Sequence, residues 1–595
     1  MKGFNGKIAR IDLTSAKITI ERPSVDFYRQ FLGGRGFIVH HLLKELPRGI
    51  DPLGPQNKLI FALGPVTGHP FVGSGRNSIG SKSPLSGGYG ESEAGGFWGA
   101  ELKKAGYDAL IIEGVSEKPV YLWIHDGEVE IRDAGDLWGL EVADCKSKIQ
   151  HALGLKKVRT AIIGPAGENR VRFACVLNDV YHAAGRTGMG AVMGSKKLKA
   201  IAVKGGDAPP VARRDDLMAL NRWMADSYRD LTLMWQYGTG RVMTEAEESG
   251  NLPIRNFKGG RFLNAEKISA ITLCENYLKK MEGCYGCPIR CKKTVKLDGD
   301  VQVDPVYGGP EYETLAALGS NCDIDNLEAI MKGNELCNRY GLDTISTGTA
   351  ISFAMECFDN GILTREDTDG LDLTMGNADA MVEMIKRIAH RKGIGDLLAE
   401  GTKRAAEKIG KGSEAFAMQV KGEEIPMHEP RLKQPLGLHY SIHATGADHL
   451  TGIHSQSALD ENSAEKLRQG SMMGHLVNYI GLCKFVPWET EQIVDAMGHI
   501  TGWEMTAPNL TQVVERGVTL MRIFNIREGF TAKDDILPER FSETPPDSPL
   551  KGIDPEQFIR SKKDYYQLMG WDEAGVPKKS TLERLDIGWA ASLLP

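Results

Sequence analysis

Short apolar or alternating runs, each bounded by Gly, Pro or Asp, fill the first third of the chain and are typical of β-strands. The runs are KIARIDL, KITIE, KLIFALG, ALIIEG, VYLWI, VEIRDA, RTAIIG, RFACVL and AIAVKG. Asp126-Gly127 lies between VYLWIH and EVEIRD, and a DG pair at such a place predicts a β-hairpin. The N-terminal part is therefore predicted to be rich in β-structure.

After GGDAPP at 205–210 the pattern changes to long stretches with apolar residues at helical spacing and few glycine stops. The predicted fold class is α+β, with a β-rich N-terminal domain followed by two mainly helical domains. A second break is placed near GKGSEAF at 411–416, and the proline-rich stretch 533–555 is interpreted as a surface loop. The predicted domains are 1–208, 209–414 and 415–595.

Composition narrows the class of protein. The 69 glycines exceed the about 42 that average usage predicts, which favours tight turns or a backbone close to a ligand. A net charge of −6 without a long basic run gives no basis for binding nucleic acid or an anionic membrane. Neither an apolar stretch of about 18 residues nor a signal-peptide pattern is present, so no membrane span and a cytoplasmic location are expected.

One pattern occurs twice. Asn338–Asp343 and Asn478–Cys483 share N-x-x-G-L-(D/C), and each closes an apolar-periodic stretch with glycine at the position of a helix C-cap. A single copy is typical of an ordinary helix end. Two copies favour a pseudo-symmetric pair of helix ends that grip one ligand from both sides.

Three cysteines, Cys284, Cys287 and Cys291, form a C-x2-C-x3-C triplet in CYGCPIRC. Zinc and iron–sulfur sites both use such spacing, and each normally takes a fourth ligand. Cys483 fits best because it follows a Gly-Leu at a predicted helix end, and Cys274 and Cys322 are the alternatives. The cysteines in periodic apolar contexts are interpreted as small core residues; they are Cys145, Cys175, Cys337 and Cys357.

Three glycine-rich stretches combine flexible backbone with polar side chains. They are Gly73–Asn77, Gly87–Gly96 and His182–Lys197. Backbone N–H groups freed by glycine and the paired donors of arginine both suit phosphate. None of the stretches matches the dinucleotide or P-loop fingerprints. Together with the thiolate triplet they predict a phosphate-bearing redox cofactor.

Ordered motifs extend over nearly the whole chain. They are Asn5-Gly6-Lys7, LGGRG (32–36), GPVTG (64–68), KSPL (82–85), ELKKAGYD (101–108), GPAGEN (164–169), AAGR (183–186), GAVMGSK (190–196), GPEYE (309–313) and GLDTIS (341–346). By these motifs the chain resembles the tungsten-dependent aldehyde:ferredoxin oxidoreductase family. The resemblance implies a β-domain that carries a bis-pterin cofactor and two helical domains that close over it.

The resemblance also implies a set of ligands. Tungsten (or molybdenum) is held by two pterins, Mg²⁺ bridges their phosphates, and a [4Fe-4S] cluster lies beside one pterin on Cys284, Cys287, Cys291 and Cys483. Glu93 and the carbonyl of Ala183 match the magnesium ligands. The implied cofactor-binding residues are Arg76, Glu93, Gly95, Gly96, His182, Ala183, Gly185, Arg186, Asn338, Gly341, Leu342, Asp343, Asn478, Gly481 and Leu482.

Three residues match the family's catalytic pocket: Glu313, His449 and Tyr312. The implied reaction is oxidation of an aldehyde to a carboxylic acid with water as the oxygen source. Glu313 is expected to act as general base, with a pKa raised by the charge on the nearby oxo-metal, and His449 to donate a hydrogen bond to the aldehyde oxygen. Other histidines crowd the same region of the sequence and compete for that role; they are His428, His439, His443 and His454.

The chain also departs from the family pattern. Asn338 and Asn478 stand where the best-known members have aspartate, which weakens but does not remove contacts to pterin N–H groups. Glu93 replaces an asparagine and is a stronger ligand for magnesium, whereas His182 replaces an arginine. An E-x-x-H motif that bridges subunits through a metal is missing at 332–335, so a metal-bridged dimer is not expected.

The resemblance implies a class of substrate and a class of electron acceptor. The family oxidises small aldehydes and passes electrons to ferredoxin or to a small iron–sulfur subunit. One branch reduces an aromatic acyl-CoA and has a cysteine ligand to tungsten near GPEYE; no cysteine lies in 309–313 here, although Cys322 follows nine residues later. Action on another substrate and a non-catalytic electron-transfer subunit remain alternatives. Both a homodimer and a hetero-oligomer are compatible with the sequence.

Overall fold

The computed structural model describes residues 1–594, and its N-terminal part contains two six-stranded sheets. In spatial order the first sheet consists of Lys17–Glu21, Ile8–Asp12, Ala109–Glu113, Leu59–Ala62, Asn77–Lys82 and Tyr89–Ala94. The second consists of His182–Ala184, Val176–Asn178, Arg159–Ile162, Leu198–Lys204, Val120–His125 and Glu128–Asp133. In each sheet one strand pair is parallel, Ile8–Asp12 with Ala109–Glu113 and Val120–His125 with Leu198–Lys204. The predicted hairpin at Asp126-Gly127 is confirmed.

The two sheets face each other across a shared apolar core, to which Trp98 and Met189 contribute from helices between strands. Helices in this part are Val25–Phe31, Gly34–Glu45, Trp98–Lys104, Val142–Leu153, Pro165–Glu168 and Met189–Ser195. The predicted runs all contribute strands, although RFACVL does so only from Val176.

Three strands were not predicted: Asn77–Lys82, Tyr89–Ala94 and His182–Ala184. Two of them lie in the glycine-rich stretches that were interpreted as contacting a ligand, and Asn77–Lys82 begins at the last residue of the remaining stretch. The edge strands Tyr89–Ala94 and His182–Ala184 lie together, and Asn178 donates from Nδ2 to Gly95 O at 2.8 Å. The polar glycine-rich segments therefore form the junction between the two sheets.

From Arg214 onward the chain is mainly helical, which confirms the α+β class. The α-helices are Arg214–Leu231, Met234–Tyr237, Met243–Ser249, Ala270–Tyr277, Tyr312–Leu318, Leu327–Tyr340, Thr344–Asp359, Ala378–Ala389, Ile394–Leu398, Thr402–Ile409, Gln434–Ile442, Ser463–Ile480, Thr490–Thr501, Ala507–Arg527, Pro555–Leu568 and Lys579–Arg584. The 3₁₀-helices are Ala265–Ile268, Pro305–Tyr307, Ser320–Cys322, Ser413–Phe416, Glu539–Ser542 and Gly588–Leu593. Two short hairpins add Leu278–Glu282 with Lys292–Val295, and Gln419–Val420 with Glu423–Glu424.

One apolar core joins the helical part to the first sheet and continues across 411–416. The division of the helical part at 414 stays a prediction, as does the boundary at 208. The stretch 533–555 is largely irregular, but it is anchored by buried Asp535 and Phe541.

The two repeated helix ends rest on the two sheets in equivalent ways. Both motif glycines, Gly341 and Gly481, are left-handed helix C-caps with φ of 77° and 75°. The first sits on Gly164, where an added Cβ would lie 2.2 Å from Tyr340 O. The second sits on Gly64, whose Cβ would lie 1.9 Å from the carbonyl carbon of Ile480. Only glycine permits this approach, so each Gly-Pro turn supports one helix end.

Candidate functional site

The four predicted cluster cysteines meet where the helical part contacts the first sheet. Cys284 and Cys287 lie in the turn of the hairpin Leu278–Glu282 with Lys292–Val295, and Cys291 directly precedes its second strand. Cys483 follows the capped helix end, and its N–H donates to Gly73 O at 3.0 Å. The loops that carry the triplet and the fourth cysteine are thus both held against the glycine-rich N-terminal segments.

The four cysteines are close enough to affect one another's pKa. Burial is the largest cause that raises the pKa of Cys284, Cys287 and Cys291, and the charge of Cys483 raises each pKa further. No three of these four sulfurs lie within 4.8 Å of one another, whereas a tetrahedral zinc ion holds its sulfur ligands about 3.8 Å apart. Four neighbouring cysteines are the donor set that a [4Fe-4S] cluster takes.

The alternative fourth ligands have other surroundings. The Cys322 thiol is buried and donates to Ala317 O at 3.4 Å and Gly348 O at 3.6 Å. Cys274 is half-buried, and its pKa is raised by burial, with Lys293 and Glu311 rather than cluster cysteines as its charged neighbours. The four cysteines interpreted as core residues are all buried.

Glycines let the backbone pass directly beneath the cysteines. A Cβ at Gly95 would lie 2.9 Å from the sulfur of Cys284, and one at Gly75 would lie 3.3 Å from its Cβ. Gly96 O accepts from the N–H of Tyr285 at 3.0 Å. Arg76 is close enough that its Nη1 would lie 3.9 Å from a Cβ at Gly95. Gly95, Gly96 and Arg76, which the resemblance implies as cofactor-binding residues, therefore lie beside the cysteines.

His182 lies beside the same glycines. Its ring contacts Gly96, where an added Cβ would lie 3.1 Å from its Cγ, and stacks on Tyr181. Both ring nitrogens are buried without a hydrogen-bond partner, and burial lowers its pKa to about 3. A neutral ring with a free donor and a free acceptor can contact a neutral part of a bound group, whereas the family arginine at this position offers a charge.

The predicted magnesium ligands lie on the two edge strands at the sheet junction. Glu93 is the last but one residue of the strand Tyr89–Ala94, and Ala183 is the exposed residue of His182–Ala184. Burial and then the charge of Glu91 raise the pKa of Glu93 well above its usual range. The Arg35 guanidinium binds both oxygens of Glu91 at 2.8 Å and lies 3.8 Å from Glu93. A divalent cation at Glu93 would relieve the carboxylate crowding.

The first repeated motif, Asn338–Asp343, is partly satisfied within the protein. Asn338 donates from Nδ2 to Tyr307 O at 2.9 Å. Asp343 caps the next helix by accepting from two backbone N–H groups, and it lies 3.7 Å from Arg186. Gly185 lies beside the same carboxylate, since its added Cβ would be 3.4 Å from Asp343 Oδ1.

The second repeated motif, Asn478–Cys483, is more open. Asn478 Nδ2 is buried without a hydrogen-bond partner, while the backbone carbonyl of Asn478 accepts from the Ser78 hydroxyl at 3.4 Å. Gly481 and Leu482 lead directly to Cys483. The unpaired amide donor of Asn478 and the thiol of Cys483 thus lie five residues apart at the same helix end.

Glu313 lies in the first turn of the helix Tyr312–Leu318. Met427 N donates to its Oε2 at 2.8 Å, and Oε1 is buried without a hydrogen-bond partner. Burial raises the pKa of Glu313 to about 7. The expected rise therefore already follows from desolvation, without any charge from a metal. A carboxylate poised near neutral pH is suited to general-base chemistry.

Two histidines face Glu313. His428 Nε2 lies 3.3 Å from Glu313 Oε1, and His449 Nε2 lies 3.9 Å from the same atom. Burial lowers the pKa of His449 to about 3 and that of His428 well below its usual range, so both rings are neutral. Tyr312 stacks on His428, and its hydroxyl donates to Met427 O at 2.8 Å. Tyr312 thus supports His428 and has no free hydroxyl proton.

The sequence did not single out His428, which is nearer to Glu313 than His449 is. Its Nδ1 lies 3.2 Å from the amine of Lys433, whose pKa burial lowers to about 8. The only sequence signal was the density of histidines around 428–454. Lys433 lies in PRLKQP, where nothing distinguishes it from a surface lysine.

Several residues of this region have buried polar atoms without a hydrogen-bond partner. They include Arg186 Nη1, Glu313 Oε1, Ser346 Oγ, Glu423 Oε2, Tyr440 Oη, His449 Nδ1 and Asn478 Nδ2. Native proteins leave few such atoms unpaired, because each costs about 1–3 kcal/mol. Donors and acceptors of this number, drawn from both helix ends and the sheet junction, fit a large polar ligand such as a pair of pterins.

The family models cover almost the whole chain. The model "Aldehyde ferredoxin oxidoreductase, N-terminal domain" matches residues 8–205, and "Aldehyde ferredoxin oxidoreductase, domains 2 & 3" matches residues 219–587. The chain belongs to the aldehyde ferredoxin oxidoreductase family. It is accordingly an oxidoreductase, and the resemblance found in the sequence is confirmed.

Relatives of this aldehyde ferredoxin oxidoreductase family member differ in their substrates. The tungsten-containing aldehyde ferredoxin oxidoreductase of Thermococcus kodakarensis is 38% identical, with 99% of each chain covered. The aliphatic sulfonate oxidoreductase, WOR-like subunit, of Pyrococcus furiosus is 36% identical, with 99% of this chain and 98% of the relative covered. The family and its tungsten-containing member from Thermococcus kodakarensis imply a tungsten–pterin cofactor.

Among solved structures, the active site complex BamBC of benzoyl coenzyme A reductase in complex with 1,5-dienoyl-CoA superimposes with a TM-score of 0.88. It is 26% identical, with 99% of this chain and 98% of that chain covered. The fold is therefore the family fold throughout. No helix within residues 1–594 combines the length and apolarity needed to traverse a bilayer.

Proposed function

We propose that this protein oxidises an aldehyde to a carboxylic acid on a tungsten bis-pterin cofactor and passes the electrons through a [4Fe-4S] cluster to ferredoxin or a similar small iron–sulfur protein. The observation that carries the proposal is Glu313, a buried carboxyl group whose Oε1 has no hydrogen-bond partner and whose pKa is raised by burial to about 7. The identity of 38% to a tungsten-containing aldehyde oxidoreductase supports the substrate class.

The residues that would hold the cofactor come from three places. Asn478, with its unpaired Nδ2, the backbone near Gly341 and Arg186, with its unpaired Nη1, would hold the two pterins. Glu93 and the Ala183 carbonyl would hold Mg²⁺ at the sheet junction. When bound, the tungsten bis-pterin group supplies a two-electron redox centre.

The balanced reaction takes one aldehyde and one water to one carboxylic acid, two protons and two electrons. Glu313 removes a proton from the water molecule whose oxygen becomes the second oxygen of the acid. Its Oε1 has no hydrogen-bond partner, and its pKa is about 7. His449 is neutral, and its Nδ1 is buried without a partner, so it is free to donate one hydrogen bond to the aldehyde oxygen. That contact orients the carbonyl and stabilises developing negative charge on it.

The proton taken by Glu313 has a route out. His428 Nε2 lies 3.3 Å from Glu313 Oε1, and His428 Nδ1 lies 3.2 Å from Lys433 Nζ. An imidazole accepts a proton on one nitrogen and releases one from the other. Lys433, with a pKa of about 8, is deprotonated often enough near neutral pH to receive it. We therefore assign His428 and Lys433 to proton release after each turnover.

Replacing Lys433 by methionine tests this route. Loss of the terminal acceptor is expected to lower kcat about tenfold or more and leave KM and the metal content unchanged, because substrate binding does not use Lys433. Steady-state kinetics in water and in deuterium oxide measure the effect, and the solvent isotope effect should rise. Lys466→Met, at a well-exposed lysine, is the control. An unchanged kcat in Lys433→Met would remove Lys433 from the route.

The electron path follows from the position of the cysteines. Cys483 directly follows Gly481-Leu482, so the cluster lies beside the second helix end, and Tyr285, Gly286 and Lys484 next to the cysteines are at least partly exposed. Electrons leaving the cluster therefore have a short way to the surface. Two relatives, an aldehyde ferredoxin oxidoreductase and a WOR-like subunit of an aliphatic sulfonate oxidoreductase, support an iron–sulfur protein as partner.

Anaerobic purification followed by two measurements tests the proposal. Metal analysis is expected to give about one tungsten and about four irons per chain, and small aldehydes are expected to drive reduction of a viologen dye. Iron without tungsten would support an electron-transfer subunit instead. Tungsten with no aldehyde-dependent reduction, but with turnover of a sulfonate or an acyl-CoA, would refute the aldehyde and keep the cofactor.

A further inference from the structure

A second group of histidines lies outside the set around Glu313. His439 and His443 are one helical turn apart, at the end of the helix Gln434–Ile442 and at its C-cap. Asp448 comes back to them from the following loop. One ligand atom from each of the three lies within 4.8 Å of the other two, and no other trio of His, Cys, Asp or Glu in residues 1–594 meets that criterion.

The distances are close to those of a coordination sphere. Asp448 Oδ2 lies 3.4 Å from His439 Nε2 and 4.0 Å from His443 Nε2. A tetrahedral ion with bonds of about 2.1 Å to nitrogen and oxygen separates its ligands by about 3.4 Å. Small side-chain movements therefore bring all three atoms onto one ion, and the spacing of four residues already puts both rings on one helix face.

A second observation points to a missing ligand. His443 Nε2 is buried without a hydrogen-bond partner, while its Nδ1 lies 2.8 Å from the hydroxyl of Thr445. Without an ion, the same Nδ1 also accepts from the backbone N–H of Thr445 at 3.3 Å, so ion binding at Nε2 requires the tautomer in which Nδ1 donates to the Thr445 hydroxyl, the arrangement typical of a ligating histidine. A cavity of about 20 Å³ adjoins the group and is lined in part by His439, His443 and His475. That volume is sufficient for one water molecule as a fourth ligand.

We propose that His439, His443 and Asp448 bind one divalent first-row transition ion, with zinc as the best match, and that water completes the site. Two imidazoles, one carboxylate and an open position are a ligand set that zinc and ferrous iron both accept. This site uses neither the cysteines nor Glu313, so it does not depend on the proposed function.

The site would position an active-site residue. Asp448 directly precedes His449, whose ring faces Glu313. An ion shared by Asp448 and the helix Gln434–Ile442 would attach the loop to the helix and restrict the motion of His449. In the structure, Thr451 makes this attachment more weakly, through its hydroxyl at 2.5 Å from Asp448 Oδ2 and 3.0 Å from His439 Nε2. A purely hydrogen-bonded attachment is the alternative that the experiment must exclude.

The test uses the full-length protein, dialysed anaerobically against zinc chloride and then against metal-free buffer. We expect about one zinc ion per chain, and X-ray absorption at the zinc edge should show only nitrogen and oxygen neighbours at about 2.0–2.1 Å. Two variants, His443→Asn and His439→Gln, should each lose at least nine-tenths of the zinc while tungsten and iron contents stay as in the wild type.

Controls separate this site from adventitious metal. His151→Gln, at an exposed helical histidine, should keep its zinc. Zinc that has entered the cysteine site would show sulfur neighbours at about 2.3 Å together with missing iron, and such a spectrum would refute the proposal. Wild-type protein without stoichiometric zinc, or zinc retained in both variants, would likewise overturn it.

Discussion

Glu313→Gln is expected to lower aldehyde-dependent turnover about 10²- to 10⁴-fold, the range that a positioned general base contributes. The amide keeps the shape of the side chain and its oxygen still accepts from Met427 N, so the helix Tyr312–Leu318 should not move. What the variant lacks is a group able to take a proton near pH 7. Metal content should therefore remain as in the wild type, and the loss should appear in kcat.

The pH dependence of the wild type makes the same prediction specific. Burial raises the pKa of Glu313 to about 7, and the base acts only when deprotonated, so activity should rise with pH through about 7 and fall below it. Viologen-reduction rates between pH 5 and 9 measure this profile. Glu313→Gln should lose the rise together with the activity. A variant with wild-type rates, or a profile that remains in it, would exclude Glu313 as the base.

Cys483→Ala is expected to remove the iron–sulfur cluster. The variant keeps only the hairpin triplet, which supplies three of the four thiolates that such a cluster takes. Because Cys483 also follows Gly481-Leu482, loss of the cluster should disturb the neighbouring helix end and the open amide of Asn478. We expect iron to fall from about four to about zero per chain and dye reduction to fall at least 100-fold.

Iron analysis and electron paramagnetic resonance of the reduced protein measure that outcome. Cys274→Ser is the matched control, because Cys274 is a half-buried thiol without a cysteine among its charged neighbours and was one of the two alternative ligands. It should keep the full iron content and signal. If Cys274→Ser lost the cluster while Cys483→Ala kept it, the ligand assignment would be wrong.

Periodic apolar patterns predicted most of the fold because they report directly on which faces are buried. The strands from Ile8–Asp12 to Leu198–Lys204 and both helix ends at Gly341 and Gly481 were accessible in this way. The strands Asn77–Lys82 and Tyr89–Ala94 were not, since Ser, Gly and Glu occupy them. Such residues carry little β-propensity, and these strands are stabilised by their neighbours in the sheet.

The site was accessible only in part for a similar reason. Cys284, Cys287 and Cys291 are close in the sequence, so their spacing indicated a metal site. Their connection to Cys483 spans nearly 200 residues, and local sequence left Cys274 and Cys322 open. His428 and Lys433 acquire their relation to Glu313 only through the packing of separate segments, a contact that no local pattern encodes.

Each repeated helix end rests on its own Gly-Pro turn, one at Gly64 and the other at Gly164. The framework that supports the site is therefore duplicated. The two repeated motifs that rest on these turns differ in their last residue. One ends in Cys483, beside the other cysteines, and the other ends in Asp343, which caps a helix and lies near Arg186. Under the proposed function, electrons therefore leave the cofactor through the half of the framework that ends in Cys483. The half that ends in Asp343 has no thiolate at this position and takes no part in electron transfer to the cluster.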